Sequence, residues 1–344
     1  MIGVTSDFHL KDDLAYADYV KDRRIPEKKE ILDFIIKEFK DCHTIVLCGD
    51  QFNKRNNPSE IVKEFVEFIE RFGDKNMIIL AGNHEKFGTG KSAIDFLKEI
   101  KGKDNWTICT KEILNIDMGL ITKIRITLVP YTTNTELGVK DNKEGAKKIM
   151  KRLDGGDIIF VHHAISNISL GPGQSTNLFN EIVLPKNELE KRYKLVVGSH
   201  IHKPQEDKNT IIIGSVFNNE VGETQKYIWK IDEKTLKVEK IALPGRGVYG
   251  LENPTIKDLD KIGKHNIVKA TFTDSKYKNN LDELKQELRK FDAHILLEQY
   301  PHERKKLHFE EGMLEFSVEQ LLDLYAKTKK VDSNKLKRAW ELVK

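Results

Sequence analysis

Met77-Ile78-Ile79-Leu80-Ala81-Gly82-Asn83-His84-Glu85 is the stretch whose reading decides the fold. Its apolar run fits a strand of a parallel α/β sheet, where covered strands read as near-continuous hydrophobic segments. The run stops at Gly82-Asn83-His84 and so leaves an amide and an imidazole at the carboxyl end of the strand. Open α/β sheets keep their ligand sites there. Alone, the tetrapeptide is ambiguous, because Gly-Asn makes turns and a histidine often decorates a loop. Its weight comes from recurrence.

Toward the amino terminus the same event occurs twice. Thr44-Ile45-Val46-Leu47-Cys48 ends in Gly49-Asp50-Gln51-Phe52-Asn53, and Ile2-Gly3-Val4-Thr5 ends in Ser6-Asp7-Phe8-His9. Asp7 and His9 are two apart, so on extended backbone both leave the same face. Between these strands, Ile31, Phe34, Ile35 and Phe39 stripe a helix over 24–39, with Pro26 in its first turn. Pro58-Ser59-Glu60 opens another helix, striped by Ile61, Phe65, Phe68, Ile69 and Phe72. Strand, helix, strand, helix, strand predicts a parallel sheet with crossover helices.

Toward the carboxyl terminus, Gly88-Thr89-Gly90-Lys91-Ser92 imitates the end of a phosphate-cradling loop. That motif needs a glycine where Glu85 stands, so the segment reads as a loop entering a helix over 93–100. Trp106–Ile108, Ile113–Ile116 and Ile124–Pro130 are expected to pair antiparallel in a second sheet packed on the first. After a helix over 144–153, Asp157-Ile158-Ile159-Phe160-Val161 stops at His162-His163. A surface loop, 166–180, follows, and then Leu195-Val196-Val197 stops at Gly198-Ser199-His200-Ile201-His202. Ile211–Ser215 and Tyr227–Ile231 read as closing strands.

The 344 residues suffice for more than one core, and the balance (39% hydrophobic, 33% charged, net charge +4) permits nucleic-acid binding without arguing for it. No apolar run reaches the roughly 18–20 residues of a membrane span. The three cysteines, Cys42, Cys48 and Cys109, lack CxxC spacing, which points to buried thiols in a reducing compartment and not to a cysteine zinc cluster. With no basic-then-apolar leader, the expected location is the cytoplasm, or a host cytoplasm for a viral protein. A change of character near Leu243-Pro244-Gly245 sets expected domains at 1–243, 244–310 and 311–344. The middle one reads as a βαβ module: strand Ile267–Phe272, a helix striped by Leu281, Leu284, Leu288 and Phe291, and strand Ile295–Tyr300. The last reads as helices, one opened by a capping box from Ser317 to Gln320 and one bearing Leu336, Ala339, Trp340 and Val343 among lysines.

The strand ends together supply Asp7, His9, Asp50, Asn83, His84, His162, His200 and His202. Carboxylate, imidazole and amide oxygen without thiolate suit Mn²⁺, Fe²⁺ or Zn²⁺. The set is too large for one closed tetrahedral site. Two metals about 3.5–4 Å apart need a bridging carboxylate, and Asp50 is the natural candidate. Such a pair polarises a phosphate and activates a water. His84, beside Asn83, then faces the leaving oxygen as a general acid. His43, His265, His294, His302 and His308 fall outside any strand end and take no role.

The ordered set Asp7-x-His9, Gly49-Asp50, Gly82-Asn83-His84, His162 and His200-x-His202 resembles the calcineurin-like metallophosphoesterase superfamily over about residues 1–231. Gly49–Phe52 with Pro58-Ser59, Leu184-Pro185 before Tyr193–His202, and Gly214-Ser215 before Glu220–Glu223 and Lys226-Tyr227 are similar to SbcD-type DNA nucleases. The resemblance implies a four-layer α-β-β-α sandwich with a small α/β capping domain and C-terminal helices. It implies Asp7, His9, Asp50 and His202 around one metal, and Asp50, Asn83, His162 and His200 around the second, with His163 behind the site. Mn²⁺ is the implied metal, with Fe²⁺ or Mg²⁺ as substitutes. The implied activity is a two-metal 3′→5′ exonuclease and endonuclease on DNA, as a homodimer within a heterotetramer. Its implied partner is an SbcC-like coiled-coil ATPase docked on residues 311–344. The alternative is a hydrolase of a small phosphodiester or a phosphoprotein, since one fold hosts many substrates. Two positions depart from the pattern. Asn53 stands where the family often has Asp or His, which bears on how His84 is oriented. Ser199 replaces the glycine before the histidine pair, where a local backbone adjustment is expected.

Overall fold

The computed structural model describes residues 1–12, 21–88, 90–100, 102–118, 123–170, 181–218, 220–223, 225–264, 266–274, 281–291, 293–298, 318–329 and 331–341. Its opening elements are β1 (Ile2–Thr5), α1 (Lys21–Glu38), β2 (Thr44–Leu47), α2 (Ser59–Glu70), β3 (Asn76–Leu80) and β4 (Trp106–Cys109). The four strands lie side by side and parallel, in the order of the chain. There follow β5 (Leu114–Met118), β6 (Ile124–Val129), α3 (Asn134–Leu137), α4 (Asn142–Lys151), β7 (Gly156–Val161) and the short pair β8 (Ala164–Ile165) and β9 (Val183–Leu184). Next come α5 (Lys186–Arg192), β10 (Tyr193–Gly198), β11 (Gln205–Asp207), β12 (Thr210–Ile212), β13 (Tyr227–Ile231) and β14 (Val238–Ala242).

Two six-stranded sheets result, β14-β13-β1-β2-β3-β4 and β11-β12-β10-β7-β6-β5. Side chains alternate across each strand, so each sheet buries two faces. Ile45 and Leu47 pack with Ile31, Ile35, Phe65 and Phe68 of α1 and α2. Val46 and Cys48 pack instead with Leu128, Ile158, Phe160 and Val197 of the second sheet. That sheet's other face, Val129, Ile159, Val161 and Val196, meets Ile149 and Met150 of α4 and Leu189 of α5. The three clusters place helices, sheet, sheet and helices in succession, and the carboxyl ends of β1, β2, β3, β7 and β10 carry the residues singled out above.

Three local expectations change. Trp106–Cys109 joins the first sheet, parallel to β3, and only β5 and β6 form the expected antiparallel pair. The long connection over 81–105 carries the chain back to the start of β3, where Met77 N–H donates to Asn105 O at 2.9 Å, and a return of that length produces parallel pairing. The helix expected over 93–100 is a short 3₁₀ turn, Asp95–Glu99. Asp95 Oδ2 accepts from Ser92 N–H and its Oδ1 from Thr110 Oγ1, which ties the segment into tight turns. Pro26 lies inside α1, which begins at Lys21, and not in its first turn.

Beyond Leu243 stand β15 (Val248–Glu252), α6 (Ile256–Asp260), β16 (Ile267–Phe272), α7 (Leu281–Leu288) and β17 (Ala293–Glu298). Their three strands form an all-parallel sheet, one strand more than the βαβ reading; β15 is only half-buried and interrupted by Gly250, so its apolar signal is weak. The chain divides into two compact units, Met1–Gln299 and Tyr300–Lys344. Within the second, α8 (Val318–Lys329) and α9 (Ser333–Glu341) are joined by Val331 N–H to Ala326 O at 3.0 Å and by Lys337 to Asp323 at 2.6 Å. Ser317, and hence the expected capping box, lies outside the described residues.

Candidate metal centre

The loops that leave β1 and β2 are laced together. Asp7 N–H donates to Gly49 O, His9 N–H to Asp50 O and Leu10 N–H to Gln51 O, each at 3.0 Å. Asp7, His9, Asp50 and His200 have φ of +51°, +44°, +51° and +74°, half of the eight non-glycine residues with positive φ among those described. Such conformations cost of order 1–3 kcal/mol each and persist where the surroundings over-determine them. Two glycines permit the close approach. A Cβ at Gly49 would overlap the His162 ring, and one at Gly82 would overlap Asp50.

Two groups of side chains converge on Asp50. In the first, His9 Nε2 and His202 Nε2 are 3.0 Å apart, and His9 Nε2 is 3.8 Å from Asp7 Oδ1. In the second, Asn83 Oδ1 lies 3.2 Å from His162 Nε2 and 3.0 Å from His200 Nδ1. Asp50 stands between them, its Oδ2 3.3 Å from His162 Nε2 and 3.7 Å from His9 Nε2. Asp7, Asp50 and His162 are 0%, 1% and 0% exposed. All seven residues read from the sequence as ligands therefore meet at one place, in overlapping groups that include Asp7 with His9 and His202, and Asp50 with His162 and His200.

The hydrogen bonds behind them decide which atoms face inward. His162 Nδ1 donates to Cys48 O at 2.6 Å, which leaves Nε2 bare toward Asp50 and Asn83. His200 Nε2 lies 2.8 Å from Glu181 Oε2, so Nδ1 is the ring nitrogen that faces Asn83. His202 Nδ1 is 3.5 Å from Glu223 Oε1, and Glu223 in turn pairs with buried Lys226 at 3.2 Å. Asp50 Oδ2, Asn83 Oδ1, His162 Nε2 and His200 Nδ1 thus crowd together as acceptors, an arrangement that a cation or a proton must relieve. Asp7 Oδ1 is likewise buried and accepts no hydrogen bond among the described residues. This donor set fits a pair of divalent cations of mixed N/O preference.

Electrostatics agree. Burial disfavours the His162 imidazolium, yet the charge of Asp50 and the contact with it outweigh burial and hold the ring well above its ordinary range. Burial alone would raise the Asp50 carboxyl, but His162 and His9 pull it far below the usual carboxylate range. His163, fully buried behind the site, is pushed down to about 3 by burial and by the His162 and His200 charges. Its Nε2 accepts Thr132 N–H at 3.2 Å, and Tyr131 stacks on it with centroids 5.1 Å apart.

Sequence reasoning missed the residues that hold this arrangement. Buried Glu85 accepts backbone N–H groups of Gly82, Phe52 and Asp50 at 2.7, 2.8 and 3.1 Å, clamping the ends of β2 and β3 together. Its place in Gly-Asn-His-Glu was visible; its partners were not. At Ser199 the left-handed residue is the following His200, and the Ser199 Oγ lies 2.6 Å from Cys48 O and 2.9 Å from His162 Nδ1.

His84 sits edge-on to His9, with ring centroids 4.6 Å apart. Its backbone N–H donates to Asp50 Oδ1 at 2.9 Å, and its Nδ1 to the backbone carbonyl of Asn53 at 2.8 Å. A carbonyl serves whatever side chain stands at 53, so the Asn53 departure leaves the orientation of His84 intact. A cavity of about 500 Å³ opens beside it, lined by Lys54, Arg55, Asn56, Asn83 and His84.

Comparison with known proteins bears on this geometry. The profile of one family, described as "Calcineurin-like phosphoesterase", matches residues 1–204. Among solved structures the chain is similar to one titled "Structural and Functional Characterization of a Novel Archaeal Phosphodiesterase", at 15% identity and a TM-score of 0.34, covering 70% of this chain and 99% of that one. No curated protein matches.

Proposed function

We propose that this chain, which belongs to the calcineurin-like phosphoesterase family and is a metal-dependent phosphoester hydrolase, cleaves the phosphodiester bonds of DNA as an SbcD-type nuclease. The observation that carries the reading is the convergence of two ligand groups on Asp50 with His84 and a cationic cavity beside them. Asp7, His9, Asp50 and His202 would hold one divalent cation and Asp50, Asn83, His162 and His200 a second, with Mn²⁺ as the proposed metal. When bound, such a pair neutralises phosphate charge and lowers the pKa of a water.

The remaining work falls to the chain itself. Asn53 O fixes the His84 ring through Nδ1, so Nε2 is the atom that hands a proton to the leaving oxygen. Lys54 and Arg55 line a cavity with His84, where a flanking phosphate of a polyanionic substrate would sit. Asp7, Asp50 and His162 are buried, so charges at the floor act with little screening by bulk solvent. A partner is part of the proposal as well. Tyr325 and Trp340 on α8 and α9 are 46% and 40% exposed, which suits docking of an SbcC-like coiled-coil ATPase on residues 311–344.

Hydrolysis of double- and single-stranded DNA with Mn²⁺, set beside bis(p-nitrophenyl) phosphate and a phosphoserine peptide, tests the substrate. The expected result is DNA cleavage abolished in Asp50→Ala. Activity on the small ester or the phosphopeptide with none on DNA would replace this reading by the alternative one. Loss of ATPase co-purification on deleting residues 312–344 is the expected outcome for the partner, and retained binding would contradict it.

A further inference from the structure

The ligand set holds four imidazoles, and three of them turn Nε2 toward the centre. His9 and His202 meet Nε2 to Nε2 at 3.0 Å, and His162 Nε2 faces Asn83 Oδ1 at 3.2 Å. His200 is the exception. Its Nδ1 faces Asn83 Oδ1 at 3.0 Å, while Nε2 points away to Glu181 Oε2 at 2.8 Å. The backbone enforces part of this reversal, because His200 has φ +74° and its N–H is held by Asp7 Oδ2 at 3.1 Å. The ring's protonation is a separate matter. A neutral imidazole carries one N–H and one lone pair, and only the lone pair can serve a cation. A carboxylate only accepts, so its contact places the hydrogen on Nε2 and the lone pair on Nδ1. Glu181 lies in no helix or strand, has a side chain 33% exposed and touches no other residue of the ligand set in the contacts described.

We propose that Glu181 is a positioning residue for His200: it selects the tautomer whose Nδ1 faces Asp50 and Asn83, and so sets the affinity of the second cation without binding it. The proposal rests on the metal-centre reading above. Outer carboxylates of this kind typically govern metal affinity by about 10–100-fold. The chemistry also distinguishes substitutes at this position. An amide oxygen in Glu181→Gln still accepts from Nε2–H, whereas Glu181→Ala leaves the nitrogen to water.

The test uses the full chain, stripped of metal and titrated with Mn²⁺ by calorimetry, together with ¹⁵N-histidine NMR of the metal-free protein. The wild type is expected to bind two Mn²⁺ and to show His200 as the Nε2–H tautomer. Glu181→Ala should weaken one Mn²⁺ by about 10–100-fold, spare the other, and give a tautomer mixture at His200. Glu181→Gln should fall between the two, which separates loss of the hydrogen bond from loss of fold. Two Mn²⁺ bound with unchanged affinities in Glu181→Ala, and an unchanged His200 tautomer, would overturn this proposal alone. A wild type that binds no Mn²⁺ would overturn the metal-centre reading and this proposal with it.

Discussion

Asp50 is 1% exposed, whereas Lys54, Arg55 and Asn56, a few residues along the same loop, are exposed. On the Asp50 side the rings of His162 and His200 are fixed from behind by a backbone carbonyl and a carboxylate. On the Lys54 side the side chains reach into a cavity of about 500 Å³ with His84 at their border. The floor gathers acceptors and so suits cations; the rim gathers cations and so suits an anion. His84 belongs to both, tied to Asp50 by its backbone N–H and lining the cavity. In the function proposed above, one loop divides holding a metal from holding a substrate, and substitutions on its two halves should fail in different ways.

The largest effect is expected at the floor. Asp50→Ala removes the side chain shared by both ligand groups, so Mn²⁺ content measured by elemental analysis should fall together with hydrolysis. The loss should exceed the roughly 10–100-fold typical of an outer partner. His84→Ala should separate the two halves, lowering kcat by about 10²–10⁴-fold while metal content stays at the wild-type level. Equal loss of metal in both variants would erase the distinction between floor and border.

Acid should act behind the floor. His163 is held neutral, its pKa pushed down to about 3 from an ordinary 6.5. A depressed histidine stabilises the fold above its unfolded pKa, so that contribution is complete above about pH 6.5 and is lost as pH falls toward 3. Melting temperature of the metal-free chain should drop through that window. His163→Gln, which keeps an acceptor for Thr132 N–H but does not titrate, should flatten the drop. At the rim the effects are smallest. Lys54→Ala and Arg55→Ala should each raise KM for DNA several-fold and reduce the salt slope of binding by about 1, with hydrolysis of small neutral-ended esters unchanged.

The floor was legible in the sequence because strand ends announce themselves. A buried run that stops at Asp50, Asn83 or His162 carries its position in its own apolar pattern, but the extended backbone expected to send Asp7 and His9 from one face is not what forms: Asp7, His9 and His200 are left-handed, and the loops' own turns aim these side chains. What holds those residues left no such trace. Glu181 stands outside any strand, 19 positions from the histidine it contacts, and Glu223 meets His202 across another 21. No periodicity links such pairs. The sheet assignment of Trp106–Cys109 failed for a related reason: short alternating strands look alike whether the connection before them turns back tightly or crosses over. The 3₁₀ turn at Asp95–Glu99 shows local side-chain hydrogen bonds prevailing over helix propensity.

The central claim is that the floor holds two cations around a shared Asp50. Elemental analysis of the full chain after Mn²⁺ loading and removal of free metal addresses it most directly. The account predicts two Mn²⁺ per chain in the wild type and in His84→Ala, and a loss from both groups in Asp50→Ala. Two Mn²⁺ retained in Asp50→Ala, or none in the wild type, would contradict it.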